Sequence, residues 1–201
     1  MLITNLIKYK IFYLKNFILK REPNEIIRKT KKYAFLKHQS VLQMYDDKPY
    51  IVHPFHVYDI ALKYNYVFYL HNVSSFDYGF QNNQIALQTA LLHDTIEDTN
   101  ITHNDLKKVF GEDVANNVYN LTNNKGRNRN ERADDSYYNG IKTSDISVFV
   151  KLCDRIANVS SNTSKNGMLE KYKKEYKHFK EKLYTEKFKD LFDEIERLIN
   201  Y

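Results

Sequence analysis

The pattern of apolar and polar residues along the chain predicts amphipathic helices rather than strands. Apolar residues recur at helical spacing within residues 84–90 and again from Asp145 to about Ser160. The second stretch is apolar around most of its circumference, so we expect it to lie at the centre of a bundle. We therefore predict an all-α fold built as a single helical bundle.

Helix start signals predict where three further helices begin. Asn24 is a suitable N-cap for the helix that follows it. Pro54 suits the first position of a helix and biases His53 towards extended angles, so the residues before it should be extended. Thr102, followed three residues later by Asp105, resembles a capping box.

Polar and glycine-containing stretches predict the connections and the outer layer. Residues 72–83, with Gly79 and a pair of asparagines, are predicted to form a loop. The charges of two C-terminal helices, at 167–183 and 186–199, alternate in sign. That alternation is typical of a solvated outer layer.

Residues 1–22 form a basic, amphipathic extension ahead of a domain predicted at 23–201. The extension is rich in Leu, Ile and Phe but is interrupted by four lysines. No run approaches the roughly 18 uncharged apolar residues of a membrane span, and no small-residue cleavage site of a secretory signal follows. Two interpretations stay open: a helix packed on the domain, or a basic amphipathic helix that contacts a membrane or a partner.

Composition and charge restrict the class of protein. Only 5 Gly and 3 Pro, with 28% charged residues, favour a helical protein over a turn-rich β sandwich. The single Cys excludes an internal disulfide framework and fits a reducing compartment, so we expect a cytoplasmic protein. The net charge is +6, but basic residues interleave with acids at helical spacing, so no nucleic-acid partner is expected.

Two imidazoles and two carboxylates form the candidate metal site. His53 precedes one predicted helix, His93 and Asp94 lie on a second, and Asp154 lies on a third. This donor set suits a borderline divalent ion such as Mn²⁺, Fe²⁺, Co²⁺ or Zn²⁺ better than Ca²⁺. For Asp154, an ion pair with Arg155 is the alternative to metal ligation.

A second acidic pair follows the His-Asp pair. If the helix continues through residue 98, His93 and Glu97 lie one turn apart, and so do Asp94 and Asp98. Gathering these acids at the end of an apolar helix is costly unless a cation binds there or several of them face water.

These residues lie in motifs that resemble the HD superfamily of metal-dependent phosphohydrolases. More narrowly, they resemble the hydrolase domain of RelA/SpoT-type alarmone enzymes and their small stand-alone relatives. The two most specific motifs are His93-Asp94-x-x-Glu97-Asp98 and Lys151-Leu152-x-Asp154-Arg155-x-x-Asn158. The matching stretches, in the order of the family, are residues 49–54, 91–99, 110–111, 121–122 and 150–158.

The resemblance implies a function and roles for these residues. The implied substrate is guanosine with a 3′-pyrophosphate, (p)ppGpp, which is cleaved to pyrophosphate and GDP or GTP. Glu97 and Asp98 are implied to orient or deprotonate the attacking water. The implied cofactor is Mn²⁺, held by His53, His93, Asp94 and Asp154.

Substrate contacts are implied at several positions. Asn158 matches the family's substrate-contacting Asn, and Lys151 and Thr122 are expected to line the same pocket. The basic loop at 123–132 is either a flexible surface loop or an arm over an anionic ligand, in which Arg127 and Arg129 would grip the pyrophosphate.

The turn at residues 43–48 departs from the long alarmone enzymes. Those enzymes carry a basic pair there, with an Arg that stacks on guanine, whereas this chain has Gln43-Met44-Tyr45-Asp46-Asp47-Lys48. Tyr45 is the residue available to stack on a base.

Two other interpretations are compatible with part of these observations. One keeps the metal site and changes the substrate to a 3′- or 2′-phosphorylated nucleotide, NADPH or a deoxynucleotide. The other is a non-catalytic module that binds a polyanion such as RNA or an acidic protein. Its signature would be loss of a metal ligand or of the acidic pair, and all six residues are present.

Overall fold

A computed structural model describes residues 2–18, 22–45, 47–70, 76–123, 134–161 and 167–200, and it confirms the all-α prediction. A small hairpin, β1 (Met44–Tyr45) with β2 (Lys48–Pro49), joins two of the helices. In chain order the helices are α1 (Leu2–Tyr13), continued by a π-helical turn (Leu14–Ile18), α2 (Glu25–Ser40), α3 (Val52–Tyr64), α4 (Val67–Leu70), α5 (Phe76–Leu92), α6 (Thr95–Asp98), α7 (His103–Phe110), α8 (Glu112–Leu121), α9 (Asp135–Ile141), α10 (Asp145–Ser160), α11 (Met168–Leu183), a 3₁₀ turn (Glu186–Phe188) and α12 (Lys189–Ile199).

Helix α10 lies at the centre of the bundle, as its apolar circumference predicts. It packs against α3, α5, α8 and α12, and most of its side chains are buried. Aromatic rings fill the space around it: Phe149 contacts Phe68 with the ring centroids 5.0 Å apart, and Phe188 at 6.2 Å. The polar residues of α10 therefore lie inside the protein, where each needs a partner.

Helix α1 packs on the domain through aromatic residues. The rings of Tyr9, Phe12 and Tyr13 contact the ring of Phe35 at centroid distances of 5.6, 6.2 and 5.3 Å. Tyr9 is fully buried, and its hydroxyl donates a 2.6 Å hydrogen bond to the backbone oxygen of Gln43. The inner face of α1 is thus part of the core, while a domain boundary at residue 22 stays a prediction.

Two of the predicted N-caps are confirmed. The Asn24 side chain accepts hydrogen bonds from the backbone N–H groups of Ile26 and Ile27, at 3.0 and 3.2 Å. Thr102 and Asp105 form the reciprocal capping box at the start of α7. These caps satisfy backbone donors that have no partner inside the helix.

The predicted start of α3 at Pro54 is wrong. The helix begins at Val52, so His53 is helical and Pro54 lies at the third position. Proline is tolerated there because the N–H groups of the first turn have no intrahelical acceptor to lose. The first regular bond of the turn runs from the Phe55 N–H to the Ile51 oxygen, at 3.2 Å.

The prediction of a loop at 72–83 is also wrong for its described part, because α5 already begins at Phe76. A Cβ atom on Gly79 would lie 3.1 Å from the backbone oxygen of Phe68, so glycine permits a close approach here. Asn83 donates a 3.0 Å hydrogen bond to the Tyr69 hydroxyl. Tertiary contacts thus override the weak local helix propensity of this segment.

Within the described residues, no helix is both long and apolar enough to cross a bilayer.

Candidate functional site

Three helices bring the candidate metal ligands to one point. His53 lies in the first turn of α3, His93 and Asp94 follow the end of α5, and Asp154 lies in the middle of α10. The helix is not continuous through residue 98. It breaks at His93 and Asp94, because the Thr95 hydroxyl donates to the Leu92 oxygen at 2.7 Å and so competes with the helical ladder.

The ligand atoms lie close together and are shielded from solvent. His53, His93 and Asp154 are buried, and their three donor atoms all lie within 4.8 Å of one another. The Asp94 Oδ2 atom lies 3.0 Å from His93 Nε2 and 3.6 Å from His53 Nε2. Two carboxylates and two imidazoles thus converge, which is the donor chemistry of a divalent metal site.

The protonation of His93 fits a metal ligand. Its Nδ1 lies 2.9 Å from the Ala90 carbonyl oxygen, and because a carbonyl only accepts, Nδ1 carries the proton. The other ring nitrogen, Nε2, is buried and makes no hydrogen bond within the described residues. A ligating histidine commonly donates one N–H to a backbone carbonyl and presents its second nitrogen to a metal.

Charges within the cluster set its pKa values. Burial works to lower the pKa of His93, but without a metal ion the Asp94 and Asp154 carboxylates raise it to about 9, so a metal that binds Nε2 must displace a proton. Burial works to raise the pKa of both carboxyls. His93 and His53 nevertheless hold the pKa of Asp94 below its usual range, and Lys151 with the same imidazoles holds that of Asp154 well below. Both acids are therefore ionised and available as ligands.

Hydrogen bonds orient the two candidate carboxylates. The Tyr50 hydroxyl donates to Asp94 Oδ2 at 2.6 Å. Lys151 donates to Asp154 Oδ2 at 2.9 Å, and the Asn158 amide donates to Asp154 Oδ1 at 2.6 Å. Burial and the nearby Asp94 charge raise the pKa of Tyr50 far above its usual range, so its hydroxyl stays a donor.

The acidic pair after the break takes two different environments. Glu97 accepts hydrogen bonds from Asn123, at 3.3 Å from the backbone N–H and 2.8 Å from the side-chain amide. Burial and the Asp94 carboxylate raise the pKa of Glu97. Asp98 is half-buried, and its backbone N–H donates to the Asp94 oxygen at 2.9 Å. Both side chains line the same cavity as the metal cluster.

A cavity of about 820 Å³ opens over the cluster. Tyr45 lies on its wall, with its ring stacked on His53 at a centroid distance of 5.8 Å. Lys171, Lys174 and His178 of α11 also line the cavity. The volume and the mixture of charges suit a polar, phosphorylated small molecule.

Several of these residues were not found from the sequence. Asn123 lies just past the Leu121-Thr122 match and carries no signal of its own, so its contact with Glu97 was missed. The charges of α11 indicated a solvated face, yet Lys171 and Lys174 line the cavity rim. The alternation of charge sign along a helix does not indicate which neighbouring element each side chain faces.

The structure gives less information about the other predicted substrate residues. Thr122 caps the end of α8, and its hydroxyl donates to the Val118 oxygen at 3.1 Å. Thr122 is not among the residues that line the cavity, unlike Lys151, so its contact with a substrate stays a prediction. Arg127 and Arg129 lie outside the described residues.

The alternative of an Asp154–Arg155 ion pair is not what the structure contains. The buried Arg155 guanidinium lies 3.5 Å from Glu175 and sits over the rings of Tyr172 and Phe179, at 4.5 and 4.4 Å from their centroids. The cation that faces Asp154 is Lys151. Arg155 therefore joins α10 to α11 and leaves Asp154 directed at the cluster.

An Arg155→Met variant is expected to be less stable by about 2 kcal/mol, because a buried cation–π contact is lost while the aliphatic packing is kept. Urea unfolding measures this loss. The variant should bind metal as the wild type does. A loss of metal binding at full stability would show that Arg155 also positions the cluster, since a guanidinium cannot itself be a metal ligand.

Comparisons with known proteins found relatives among the guanosine-3′,5′-bis(diphosphate) 3′-pyrophosphohydrolases. No family model matches the chain. The Xenopus tropicalis guanosine-3′,5′-bis(diphosphate) 3′-pyrophosphohydrolase MESH1 is 32% identical over 135 residues, which cover 67% of this chain and 68% of that protein. The Drosophila melanogaster MESH1 is 36% identical over 74 residues, so the match spans only 41% of that relative. The Aquifex aeolicus guanosine-3′,5′-bis(diphosphate) 3′-pyrophosphohydrolase is 33% identical over 117 residues, 57% of this chain and 14% of that protein.

The fold is also similar to a solved structure, described as a metazoan ortholog of SpoT that hydrolyzes ppGpp and plays a role in starvation responses. The TM-score is 0.59 at 22% identity, over 88% of this chain and 96% of that one. At that identity the likeness supports the fold alone. The identity and coverage of the Xenopus relative show the family: the chain belongs to the RelA/SpoT-like hydrolases of the HD superfamily.

Proposed function

We propose that the chain is a metal-dependent phosphohydrolase that removes the 3′-pyrophosphate of ppGpp, leaving GDP. The observation that carries the proposal is the convergence of His53, His93, Asp94 and Asp154 at the base of an 820 Å³ cavity. The name of the Xenopus relative, which covers two thirds of this chain, supports the same substrate.

The four residues are proposed to hold one divalent ion, with Mn²⁺ as the ion of this proposal. The buried Nε2 of His93, which makes no hydrogen bond within the described residues, supports a ligand at this point. When bound, such an ion supplies a Lewis acid for the phosphoryl group and lowers the pKa of water. Tyr50 and Asn158 would keep the two carboxylates in place through their hydrogen bonds.

Glu97 and Asp98 are proposed to orient the attacking water and accept its proton. Water attacks the phosphorus next to the ribose 3′-oxygen, and the bond from that phosphorus to the 3′-oxygen breaks. The 3′-oxygen leaves with GDP and takes up a proton, and pyrophosphate is released. Glu97 is suited to accept the proton, because hydrogen bonds from Asn123 hold its carboxylate at the cavity wall.

Three lysines among the cavity-lining residues offer contacts to an anionic substrate, although the lining also carries the acids of the cluster. Lys151 lies beside the cluster, and Lys171 and Lys174 come from α11. We propose that Asn158 and Lys151 contact the nucleotide close to the metal, with Thr122 nearby. Tyr45 is proposed to stack on the base, since its ring lies at the cavity wall.

Product analysis with a panel of nucleotides tests this proposal. With Mn²⁺, the wild type should release pyrophosphate and GDP in equal amounts from ppGpp, and Asp94→Ala should release neither. NADPH and ordinary nucleotides should give little orthophosphate in the same assay. Orthophosphate from one of these, with no pyrophosphate from ppGpp, would contradict the substrate and keep the metal site.

A second candidate substrate class is favoured by one observation. The hairpin turn has Tyr45 where the long alarmone enzymes have a basic pair, so guanine recognition through an Arg is absent at this position. Another nucleotide with a 2′- or 3′-phosphate is therefore the alternative that the panel includes.

An Arg127→Ala, Arg129→Ala double variant is expected to raise KM for ppGpp about tenfold with little change in kcat, because charge-assisted contacts to the pyrophosphate are lost. Steady-state kinetics measure both constants. The matched control is Arg197→Ala, an exposed arginine of α12 that pairs with Glu194 at 2.8 Å. If KM is the same in all three proteins, Arg127 and Arg129 do not contact the substrate.

A further inference from the structure

The outer face of α1 carries a stripe of exposed apolar residues. Ile3, Ile7, Ile11 and Leu14 follow one another at spacings of four, four and three, so they share one side of the helix. Their exposed fractions are 77, 51, 50 and 48%. Among the described residues, 15 large apolar side chains are exposed, and five of them lie between Ile3 and Leu14. Such a concentration marks an interaction surface.

The inner face of the same helix is already occupied. Tyr9 is buried, and the Phe12 ring contacts Phe55 at 5.5 Å as well as Phe35. The helix is therefore held in place on the domain, and its apolar stripe points away from the core. Burying that stripe requires something outside the described part of the chain.

The charge around the stripe has a single sign. Lys8, Lys10 and Lys15 lie along the stripe or at its edge, and residues 1–21 contain no Asp or Glu. Lys10 and Lys15 are exposed. An apolar stripe flanked by lysines is the pattern of a helix that lies in the interface of an anionic membrane.

This charge argues against a second copy of the chain as the occupant. A twofold dimer brings the same patch of both copies together, so the lysines of α1 would face their own equivalents. The helix has no acidic residue that would pair with them. Anionic headgroups supply the opposite charge, and each lysine near such a surface contributes about 1 kcal/mol.

We propose that the outer face of α1 docks the protein on an anionic phospholipid surface. The helix lies parallel to the bilayer, with Ile3, Ile7, Ile11 and Leu14 among the acyl chains and the lysines at the headgroups. This docking is independent of the metal site and of the substrate proposed above.

Sedimentation with vesicles tests the proposal on the full chain. Vesicles of phosphatidylcholine mixed with phosphatidylglycerol should bind the wild type at least about tenfold more tightly than pure phosphatidylcholine. Binding should weaken as salt is added. Ile7→Glu with Ile11→Glu should reduce binding at least about tenfold, because two charges enter the apolar stripe.

The matched control is Leu62→Glu, which places the same charge at an exposed leucine of α3. It should bind vesicles as the wild type does. Circular dichroism and the thermal midpoint should be unchanged in all variants, because none of these side chains is in the core. Equal affinity for the two kinds of vesicle, or full binding by the double variant, would overturn the proposal. A dimer that the double variant dissociates, without lipid binding, would assign the face to a second copy.

Discussion

An Asp154→Asn variant is expected to lose metal binding and at least about a thousandfold of its hydrolytic activity. The substitution keeps the shape of the side chain and removes the charge at the centre of the cluster, where His53 Nε2 lies 3.2 Å away. A metal ion contributes several kcal/mol to the stabilisation of a phosphoryl transition state, and each 1.36 kcal/mol is a factor of ten in rate. Calorimetric titration with Mn²⁺ and pyrophosphate release measure the two effects.

The same substitution also leaves Lys151 without its carboxylate partner, which lies 2.9 Å away inside the protein. Removing one partner of a buried ion pair costs about 3–5 kcal/mol. The double variant Asp154→Asn, Lys151→Met removes this unpaired charge, so it should regain stability and remain unable to bind metal. Asp145→Asn on the same helix removes an exposed carboxylate that pairs with the half-buried Lys187; it should leave metal binding unchanged and lower stability by no more than about 1 kcal/mol. Metal binding by the stable double variant would remove Asp154 from the ligand set.

A Glu97→Gln variant is expected to lower kcat about 10²–10⁴-fold while metal affinity is kept, because a positioned proton acceptor contributes that much. The glutamine has the same shape, and its oxygen can still accept from the Asn123 amide, which lies 2.8 Å from the Glu97 carboxylate. A lower kcat would therefore result from the missing charge of Glu97 and not from a disturbed loop.

Glu112→Gln is the matched control for this variant. Glu112 is an exposed residue that pairs with Lys107 at 2.7 Å, and its replacement should leave kcat unchanged. If Glu97→Gln retains the wild-type kcat, Asp98 becomes the remaining candidate for the proton acceptor. Equal loss of metal binding would instead place Glu97 among the ligands.

The arrangement of the cluster could be predicted because its residues lie in short local motifs. His93 and Asp94 are adjacent, and Asp154 and Asn158 lie one turn apart on a helix whose apolar surface places it in the core. Three such segments need only pack together for their polar residues to meet. The all-α fold follows from the same periodicity, and the structure confirms it.

The parts that could not be predicted depend on contacts between distant segments. Asn123 reaches Glu97 across 26 positions of the chain, and Tyr50 reaches Asp94 across 44. In the first turn of α5, Gly79 approaches Phe68 closely, a tertiary contact that local helix propensity does not report. Pro54 does not mark the first residue of α3, since the first turn of a helix accepts proline at more than one position.

Anomalous diffraction from crystals grown with Mn²⁺ shows directly whether the four proposed ligands hold one ion. We expect one strong peak at the manganese edge, within about 2.5 Å of donor atoms from His53, His93, Asp94 and Asp154. A peak at another place, or none among these side chains at saturating Mn²⁺, would contradict the proposed metal centre and the hydrolytic mechanism built on it.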